Sequence, residues 1–182
     1  MVSSITLKNL IIGYRSKHQL RAIASPVHAS LQAGELTCLI GANGVGKSTL
    51  LRTLAGFQPA LDGEILIQDK SLSDFSAQEL AREISIVLTS KTDHAQLSAE
   101  EIVGIGRSPY TGFWGTLSAA DKQIVAAALQ EAGILHLAQR NISELSDGER
   151  QKVMIAKALA QQTRIIILDE PTAFLDFPSK IE

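Results

Sequence analysis

One short stretch, GANGVGKST at residues 41–49, constrains the fold of this chain more than any other feature of the sequence. It has the spacing of a phosphate-binding loop. The defining residues are Gly41, Gly44, Gly46, Lys47 and Ser48. An apolar run, ELTCLIG, precedes the loop and predicts a strand, and the helical pattern VGKSTLLRTLAG follows it and is predicted to end at Gly56. A strand, a glycine-rich turn and a helix in this order predict a nucleotide-binding α/β protein.

The chemistry of this loop follows from its residue types. Glycines let the backbone wrap closely around phosphate groups, and the helix start adds the positive end of its dipole. Lys47 is expected to reach the β- and γ-phosphates of ATP, and Ser48 to place its hydroxyl on Mg²⁺. The alternative is a glycine-rich turn without a ligand. The predicted ATP contacts are Gly41, Ala42, Asn43, Gly44, Val45, Gly46, Lys47, Ser48 and Thr49.

A second candidate site follows the β-branched run in RIIILDEP, residues 164–171. The run predicts a central strand of a parallel sheet, buried on both faces. Asp169 is suited to bind Mg²⁺ through water, and Glu170 to orient or deprotonate the attacking water. Taken alone, an acidic pair of this kind is more often only a polar strand end. Its occurrence in the same chain as a phosphate loop favours the catalytic interpretation.

Hydrophobic patterns divide the rest of the chain into β-rich and helix-rich segments. SITLKNLIIGY predicts a strand, LDGEILIQDKSL a hairpin, and SAQELAREISIVLT a helix followed by a strand. From about residue 91 to 160 the patterns are helical, with serine at the expected caps. RSPYTGFWGTLS predicts a loop in which Phe113 and Trp114 either fill a local core, which we favour, or dock a partner.

The composition excludes several classes of protein. The chain has 182 residues, of which 45% are hydrophobic and 20% charged, with a net charge of −2 and no basic stripe. These values predict a folded protein that does not bind nucleic acid. Because no run approaches ~20 apolar residues and no signal-peptide pattern is present, we expect a cytosolic chain. Cys38 is expected to be buried, and the scattered histidines predict no metal site.

The stretch ELSDGERQK, residues 144–152, has two interpretations. Ser146 followed by Glu149 fits a capping box at the start of a helix, and such boxes commonly have no ligand. A helix start is also a favourable position for an anion. The residues alone favour a helix cap without a ligand.

The phosphate loop, a helical insert, LSDGE and the acidic strand end, in that order, resemble the ATP-binding subunit of an ABC transporter over residues 5–182. The resemblance implies an α/β fold of the P-loop NTPase (RecA-like) class. It has a parallel-sheet core, N-terminal antiparallel β elements and an inserted α-helical subdomain. It also implies one nucleotide-binding domain, residues 1–182, with an ATP-binding core at about 1–90 and 161–182 and a helical subdomain at about 91–160.

The resemblance assigns partners and further residues. In this family a signature segment binds the ATP held by the phosphate loop of a second subunit, in a head-to-tail dimer that we expect to be a homodimer. Its positions are Leu145, Ser146, Asp147, Gly148 and Glu149, with Asp147 in place of a glycine. Tyr14 matches the aromatic residue that stacks on adenine, and Asp176 the loop that touches the opposite site. Also implied are membrane permease subunits, indirectly a substrate-binding protein, and a place at the cytoplasmic face of the cell membrane.

The chain departs from the family pattern at two places. Thr89 stands where the family has a glutamine that helps to ligate Mg²⁺. The family also continues beyond the position of Glu182 with further strands and a histidine that contacts the γ-phosphate, so we expect a chain that is incomplete at its C-terminus. Missing strands predict an exposed sheet edge and poor stability.

The stretch VGIGRSPYTG and the helix after LSAAD resemble the helical region of ABC importers for ferric siderophores, haem and cobalamin. The implied function is ATP hydrolysis that drives the import of an iron compound, with Glu170 as the catalytic base. The alternative is a fragment that binds ATP without hydrolysing it because the histidine is absent. An ABC ATPase that acts on DNA or ribosomes is less favoured, since the chain has neither a long coiled-coil insert nor a basic surface.

Overall fold

The structure, a computed structural model, describes residues 3–15, 19–24, 26–88 and 96–171. Two of the predicted site residues, Thr89 and Asp176, lie outside these ranges. The chain divides into two compact units, Met1–Leu80 and Ala81–Glu182. None of the helices in the described ranges has the length and hydrophobicity to cross a bilayer.

The first unit is built mainly from antiparallel strands. They are β1 (Ser3–Ile11), β2 (Gly13–Arg15), β3 (Leu20–Ala22), β4 (Val27–Gln32), β5 (Asp62–Ile67) and β6 (Lys70–Ser71). Within the described residues, β4, β1, β5 and β6 form one sheet in that order, and β2 pairs with β3. Helix α1 (Lys47–Leu54) follows the phosphate loop, and α2 (Ala77–Glu83) begins in this unit and ends in the second. The predicted strand and hairpin are confirmed.

Helix α1 ends as the sequence predicts. Gly56 follows the last helical residues with φ +75°. Its N–H donates to the carbonyl of Thr53 at 3.1 Å, and the N–H of Phe57 donates to the carbonyl of Arg52 at 3.0 Å. This pair of bonds is a Schellman motif, which requires the left-handed conformation that glycine adopts most easily.

A bulge in β1 changes which residues face the core. Ile5 and Leu7 are buried before the bulge, and Leu10 and Ile12 after it, so the buried positions change from odd to even. Asn9 has φ +49°, and the pairing register with β5 shifts between Lys8 and Ile11. Gly63 lies opposite, where a Cβ atom would be 2.3 Å from the carbonyl oxygen of Asn9. The extra residue therefore explains why the alternation in this strand is imperfect.

Besides the end of α2, the described part of the second unit contains three helices and a pair of parallel strands. The helices are α3 (Ala99–Ile105), α4 (Ala119–Glu131) and α5 (Asp147–Ala160), and the strands are β7 (Ile84–Val87) and β8 (Ile165–Leu168). Apolar side chains of the three helices form the core of this unit, with Ile102, Val125 and Val153 almost completely buried. Ser98, Ser118 and Ser146 each form a capping box, which confirms the predicted helix starts.

Strands β7 and β8 pair in parallel, from Ile84 opposite Ile165 to Val87 opposite Leu168. The prediction of a parallel strand before Asp169 is confirmed, but the prediction that both of its faces are buried is wrong. Ile167 is buried, whereas Ile166 and Leu168 are 43% and 39% exposed. Burial on both faces requires layers that cover both sides of a strand, and the strand's own residues cannot supply them.

Three further expectations, one about a strand and two about burial, are wrong. The predicted strand ELTCLIG, residues 35–41, does not form, and Cys38 within it is exposed. An apolar run becomes a strand only where a neighbouring strand pairs with its backbone, and no strand of the described residues does so here. Phe113 and Trp114 do not fill a core, since they are 96% and 87% exposed. Their rings contact each other edge to face, with the ring centroids 5.5 Å apart.

Candidate functional site

The phosphate loop lies in the first unit between the run at 35–40 and helix α1. Two of its glycines have backbone angles that other residues adopt only with strain, with φ +79° at Gly44 and +107° at Gly46. The loop residues up to Val45 are exposed, and a turn is closed by the N–H of Val45 on the carbonyl of Ala42 at 3.3 Å. The loop is thus open to solvent directly before a helix start, which is a suitable arrangement for an anion.

Lys47 is held against this loop by the loop's own backbone. Its Nζ donates to the carbonyl of Gly41 at 2.8 Å and to the carbonyl of Ala42 at 3.0 Å. The contacts place one positive charge at the mouth of the turn. Neighbouring Ser48 is the first-turn hydroxyl of α1, whose N-cap, Gly46, provides no side-chain cap. The backbone N–H groups of this first turn have no carbonyl within the helix to bond, so the residues present fit a phosphate group and an attached Mg²⁺.

Tyr14 lies near the same helix. Its hydroxyl is 3.2 Å from Oγ1 of Thr49, which is buried in α1. Tyr14 lies in β2, where it is paired with Arg21 of β3. About half of the surface of Tyr14 is exposed. The structure therefore brings together Tyr14 and the phosphate loop, two features separated by 27 or more residues of sequence.

One contact of the loop is not evident from the sequence. Ile23, just beyond β3, packs against Gly46 so closely that a Cβ atom on the glycine would be 2.6 Å from Cγ2 of Ile23. The backbone N–H of Ile23 also donates to the carbonyl of Ile12 at 2.9 Å. The side chain of Ile23 therefore packs against the phosphate loop at Gly46. No sequence pattern distinguishes Ile23 from other apolar residues.

The acidic strand end lies in the second unit. Asp169 is buried, and its N–H continues the parallel ladder by donating to the carbonyl of Val87 at 2.9 Å. Glu170 is exposed and has φ +49°, a conformation that is uncommon for a residue with a side chain. The two carboxylates thus differ in environment: Asp169 is fixed at the end of the sheet, and Glu170 is presented to solvent.

The signature segment forms the start of α5. Leu145 is buried and anchors the segment, and Ser146 is the N-cap. The carboxylate of Glu149 accepts from both the backbone N–H and the hydroxyl of Ser146 at 2.8 Å, while the Glu149 N–H donates to the Ser146 hydroxyl at 3.3 Å. The predicted cap is confirmed. Phosphate binding by this segment stays a prediction.

Charge at the start of α5 is more mixed than at the start of α1. The first turn of α5 contains Asp147 and Glu149, and Arg150 forms an ion pair with Asp147. The hydrogen bond from the Ser146 backbone, followed by that from the Ser146 hydroxyl, holds the pKa of Glu149 below its usual value. The Glu149 carboxylate is therefore ionised near neutral pH and committed to the cap.

These features define an ABC-type nucleotide-binding protein, and comparison with known proteins agrees. The ABC transporter family profile matches residues 24–173, so the chain belongs to this family. It is 35% identical, over its whole length, to the iron(3+)-hydroxamate import ATP-binding protein FhuC of Bacillus subtilis, covering 66% of that protein. It is 34% identical to the ferric enterobactin transport ATP-binding protein FepC of Escherichia coli, covering 65% of that protein.

Solved structures extend the comparison to the fold. A dimeric ATP-binding cassette, MJ0796, in a post-hydrolysis state with ADP and Pi is 27% identical, with a TM-score of 0.82 over 96% of this chain and 77% of that one. The predicted P-loop NTPase fold class is thereby confirmed, as is the resemblance to ABC ATP-binding subunits. The chain spans about two thirds of the length of its curated relatives in iron-siderophore transport.

Proposed function

We propose that this chain is the ATP-binding and ATP-hydrolysing subunit of an ABC importer for iron compounds. It would act as a head-to-tail dimer, bound to permease subunits at the cytoplasmic face of the cell membrane. The observation that carries the proposal is the phosphate loop, with Lys47 Nζ 2.8 and 3.0 Å from two loop carbonyls and glycines at φ +79° and +107°. A positive charge at an open, uncapped helix start is suited to bind a triphosphate.

Each residue then has a role that its surroundings support. Lys47 binds the β- and γ-phosphates, and Tyr14 offers a half-exposed ring for the adenine. Ser48 and Asp169 would hold Mg²⁺, which neutralises charge on the phosphates when bound. Glu170 accepts the proton of the attacking water, because it is the exposed member of the acidic pair. The signature segment, residues 145–149, binds the nucleotide of the second copy.

The relatives support the cargo class. By their names, FhuC is an ATP-binding protein of iron(3+)-hydroxamate import and FepC one of ferric enterobactin transport. This chain matches each of them over its whole length. Cargo contacts are not expected in this subunit, so the assignment rests on this similarity rather than on the chemistry of a cargo site.

Turnover by Glu170→Gln tests the catalytic part of the proposal. The purified chain should hydrolyse Mg-ATP, and Glu170→Gln should lose at least about 100-fold in turnover because the attacking water loses its base. Its affinity for ATP, measured by calorimetry, should stay within about twofold. Glu131→Gln, at an exposed position at the end of α4, is the matched control and should keep wild-type turnover.

Three results separate the alternatives. Wild-type turnover by Glu170→Gln would remove the assignment of the base. ATP binding without turnover by the unchanged chain would support a fragment that binds ATP without hydrolysing it. No binding of ATP would contradict the proposal as a whole. The iron assignment needs a separate test, in which deletion of the chain in its source organism should abolish uptake of a radiolabelled ferric siderophore.

A further inference from the structure

A guanidinium group is buried among the helices of the second unit. Arg107, just after the end of α3, is only 5% exposed. Its Nε donates to Oδ1 of Asp121 at 2.9 Å, and its Nη1 donates to the carbonyl of Ala160 at 2.9 Å and to Oε1 of Gln162 at 3.1 Å. The ring of Tyr110 lies 4.1 Å below the guanidinium carbon. The charge is therefore paired, hydrogen-bonded and stacked.

The partners of Arg107 belong to the ends of different helices. Asp121 lies in the first turn of α4, where its second oxygen accepts from the backbone N–H and the hydroxyl of Ser118. Hydrogen bonds from Ser118 and Arg107 hold the pKa of Asp121 at about 2, so this carboxylate stays charged. Ala160 is the last residue of α5. One side chain thus fixes the end of α3, the start of α4 and the end of α5 relative to one another.

Stability alone does not account for a charged group at this position. Burying an ion pair costs desolvation energy that the attraction only partly returns, and apolar residues of similar volume often stabilise a fold as well or better. An arginine with fixed, directional donors contributes geometry instead, because it allows only one arrangement of the groups it binds. The structure therefore favours a role in orientation over a role in overall stability.

The helix that Arg107 anchors carries the signature segment at its opposite end. Helix α5 has 14 residues, which corresponds to a rod about 20 Å long. A rotation of ~10° about the anchored end would move the Ser146 end by about 3 Å over that length. Such a displacement exceeds the ~1 Å misplacement that can reduce an enzyme's rate about a hundredfold.

A second anchor ties the same helix end to the parallel strands. Nε2 of Gln161 donates to the carbonyl of Ile84 at 3.1 Å and also to the carbonyl of Ala81. Ile84 begins β7, which pairs with β8 and so with the strand that leads to Asp169. Close packing supports this joint, because a Cβ atom on Gly106 would be 2.4 Å from the carbonyl oxygen of Lys157.

We propose that Arg107 is a positioning residue that sets the orientation of α5, and hence the place of the signature segment, relative to α3 and α4, while Gln161 joins the same end of α5 to β7. Its effect on turnover rests on the proposed function, whereas its effect on the orientation of α5 does not. Loosening this anchor should leave nucleotide binding at the phosphate loop unchanged and reduce the rate of the step that needs the signature segment.

The orientation can be measured directly with two spin labels. In a Cys38→Ser background, cysteines at Glu131 and Glu144 place labels at exposed positions at the end of α4 and before the start of α5, both away from the ends that Arg107 binds. Arg107→Met, which keeps the length and volume but removes the directed donors, should broaden the distance distribution while the protein remains folded. Gln162→Asn should broaden it less, because asparagine suits the φ of +53° at this position but is too short to reach the guanidinium. Lys122→Gln, an exposed cation next to Asp121, is the control and should leave the distribution unchanged.

Kinetics then connects the orientation to the reaction. Arg107→Met should lower turnover at saturating ATP by about tenfold, with the KM for ATP within about twofold of the wild-type value. Arg107→Lys should restore part of the rate, since an ammonium can still pair with Asp121. An unchanged distance distribution in both Arg107→Met and Gln162→Asn overturns the proposal, even if the wild-type chain hydrolyses ATP. A broadened distribution together with an inactive wild-type chain would uphold the positioning role and contradict the proposed function. If Arg107→Met does not fold, Gln162→Asn alone decides, with a broadened distribution in support.

Discussion

The two helix starts that we propose to bind phosphate, those of α1 and α5, are built in opposite ways. The start of α1 follows a glycine, has no side-chain cap and no acidic residue in its first turn, and carries Lys47. The start of α5 is closed by the reciprocal bonds of Ser146 and Glu149 and has two acidic residues in its first turn. One start therefore leaves its backbone donors for a ligand, and the other satisfies part of them itself.

The difference indicates a division of labour. An uncapped start with a positive charge can hold a triphosphate within a single copy of the chain. A capped start with mixed charge has less affinity to offer by itself, so its contribution is expected only when a second copy supplies a bound nucleotide. We therefore expect α1 to hold the nucleotide within one copy of the chain and α5 to contact the nucleotide of a second copy.

Removing the charge at α1 should have the largest effect. Lys47→Ala should weaken ATP binding by about 2 kcal/mol, or roughly thirtyfold, because charge-assisted hydrogen bonds to the phosphates are lost. Calorimetry measures the change. Lys8→Ala, on β1 and half-exposed in a surface ion pair with Glu64, is the matched control and should bind ATP normally. Equal affinity in Lys47→Ala and the wild type would remove α1 from the role given to it here.

Changing the backbone of the same start should have a slightly smaller effect. Gly46→Ala forces a side chain into φ +107° and within 2.6 Å of Ile23, and should cost about 1–2 kcal/mol of unfolding free energy. ATP binding should weaken as well, because the loop must move. Gly115→Ala, at φ +64° with open space around it, is the control, and it should cost about 1 kcal/mol without affecting ATP binding. Denaturant unfolding and calorimetry give the two quantities.

Opening the cap of α5 should affect stability and dimerisation together. Ser146→Ala should lose about 1 kcal/mol of unfolding free energy, the usual contribution of an N-cap serine. Ser98→Ala removes the corresponding cap of α3 and should lose a similar amount. Only Ser146→Ala should also reduce ATP-dependent dimer formation in analytical ultracentrifugation. The same dimerisation defect in both variants would show that α5 has no special role.

The smallest expected effect is a change in the free energy of unfolding at acidic pH. Because hydrogen bonds from Ser146 hold the pKa of Glu149 below its usual 4.5, this carboxylate stabilises the fold above that pH. The contribution is lost as the pH falls from 4.5 through the lowered pKa. Glu149→Gln keeps a group that can cap the helix but does not titrate. The stability difference between wild type and Glu149→Gln should therefore be present at pH 7 and shrink below pH 4.5 in urea titrations. A difference that stays constant with pH would contradict the assignment of this shift to Glu149.

Local features of the sequence predicted the structure well, and features that depend on distant neighbours did not. The serine caps at 98, 118 and 146 and the glycine after α1 were predictable because their partners lie within a few residues. The exposure of Ile166, Leu168 and Cys38 was not predictable, since burial of an apolar run depends on which elements cover it. Phe113 and Trp114 belong to the same category.

The candidate site shows the same division. The loop residues and the acidic pair could be named from motifs, because their chemistry requires particular residue types at fixed spacing. Ile23, which packs against Gly46, and Arg107, which binds the end of α5, could not be named, because their importance arises from contacts between segments far apart in sequence. The only sequence feature that pointed to Arg107 was its charge within the otherwise uncharged stretch GIGRSPY.

The bulge in β1 couples two positions that are far apart in the sequence. With Asn9 present, Gly63 can accept no side chain, since its Cβ would be 2.3 Å from the Asn9 carbonyl oxygen. Deleting Asn9 alone would restore the regular alternation of the strand and leave Leu10 and Ile12 facing the core. Insertions at position 9 and the loss of side chains at position 63 are therefore expected to have been gained together during divergence. Related sequences that lack the extra residue should be free to carry a larger residue opposite it.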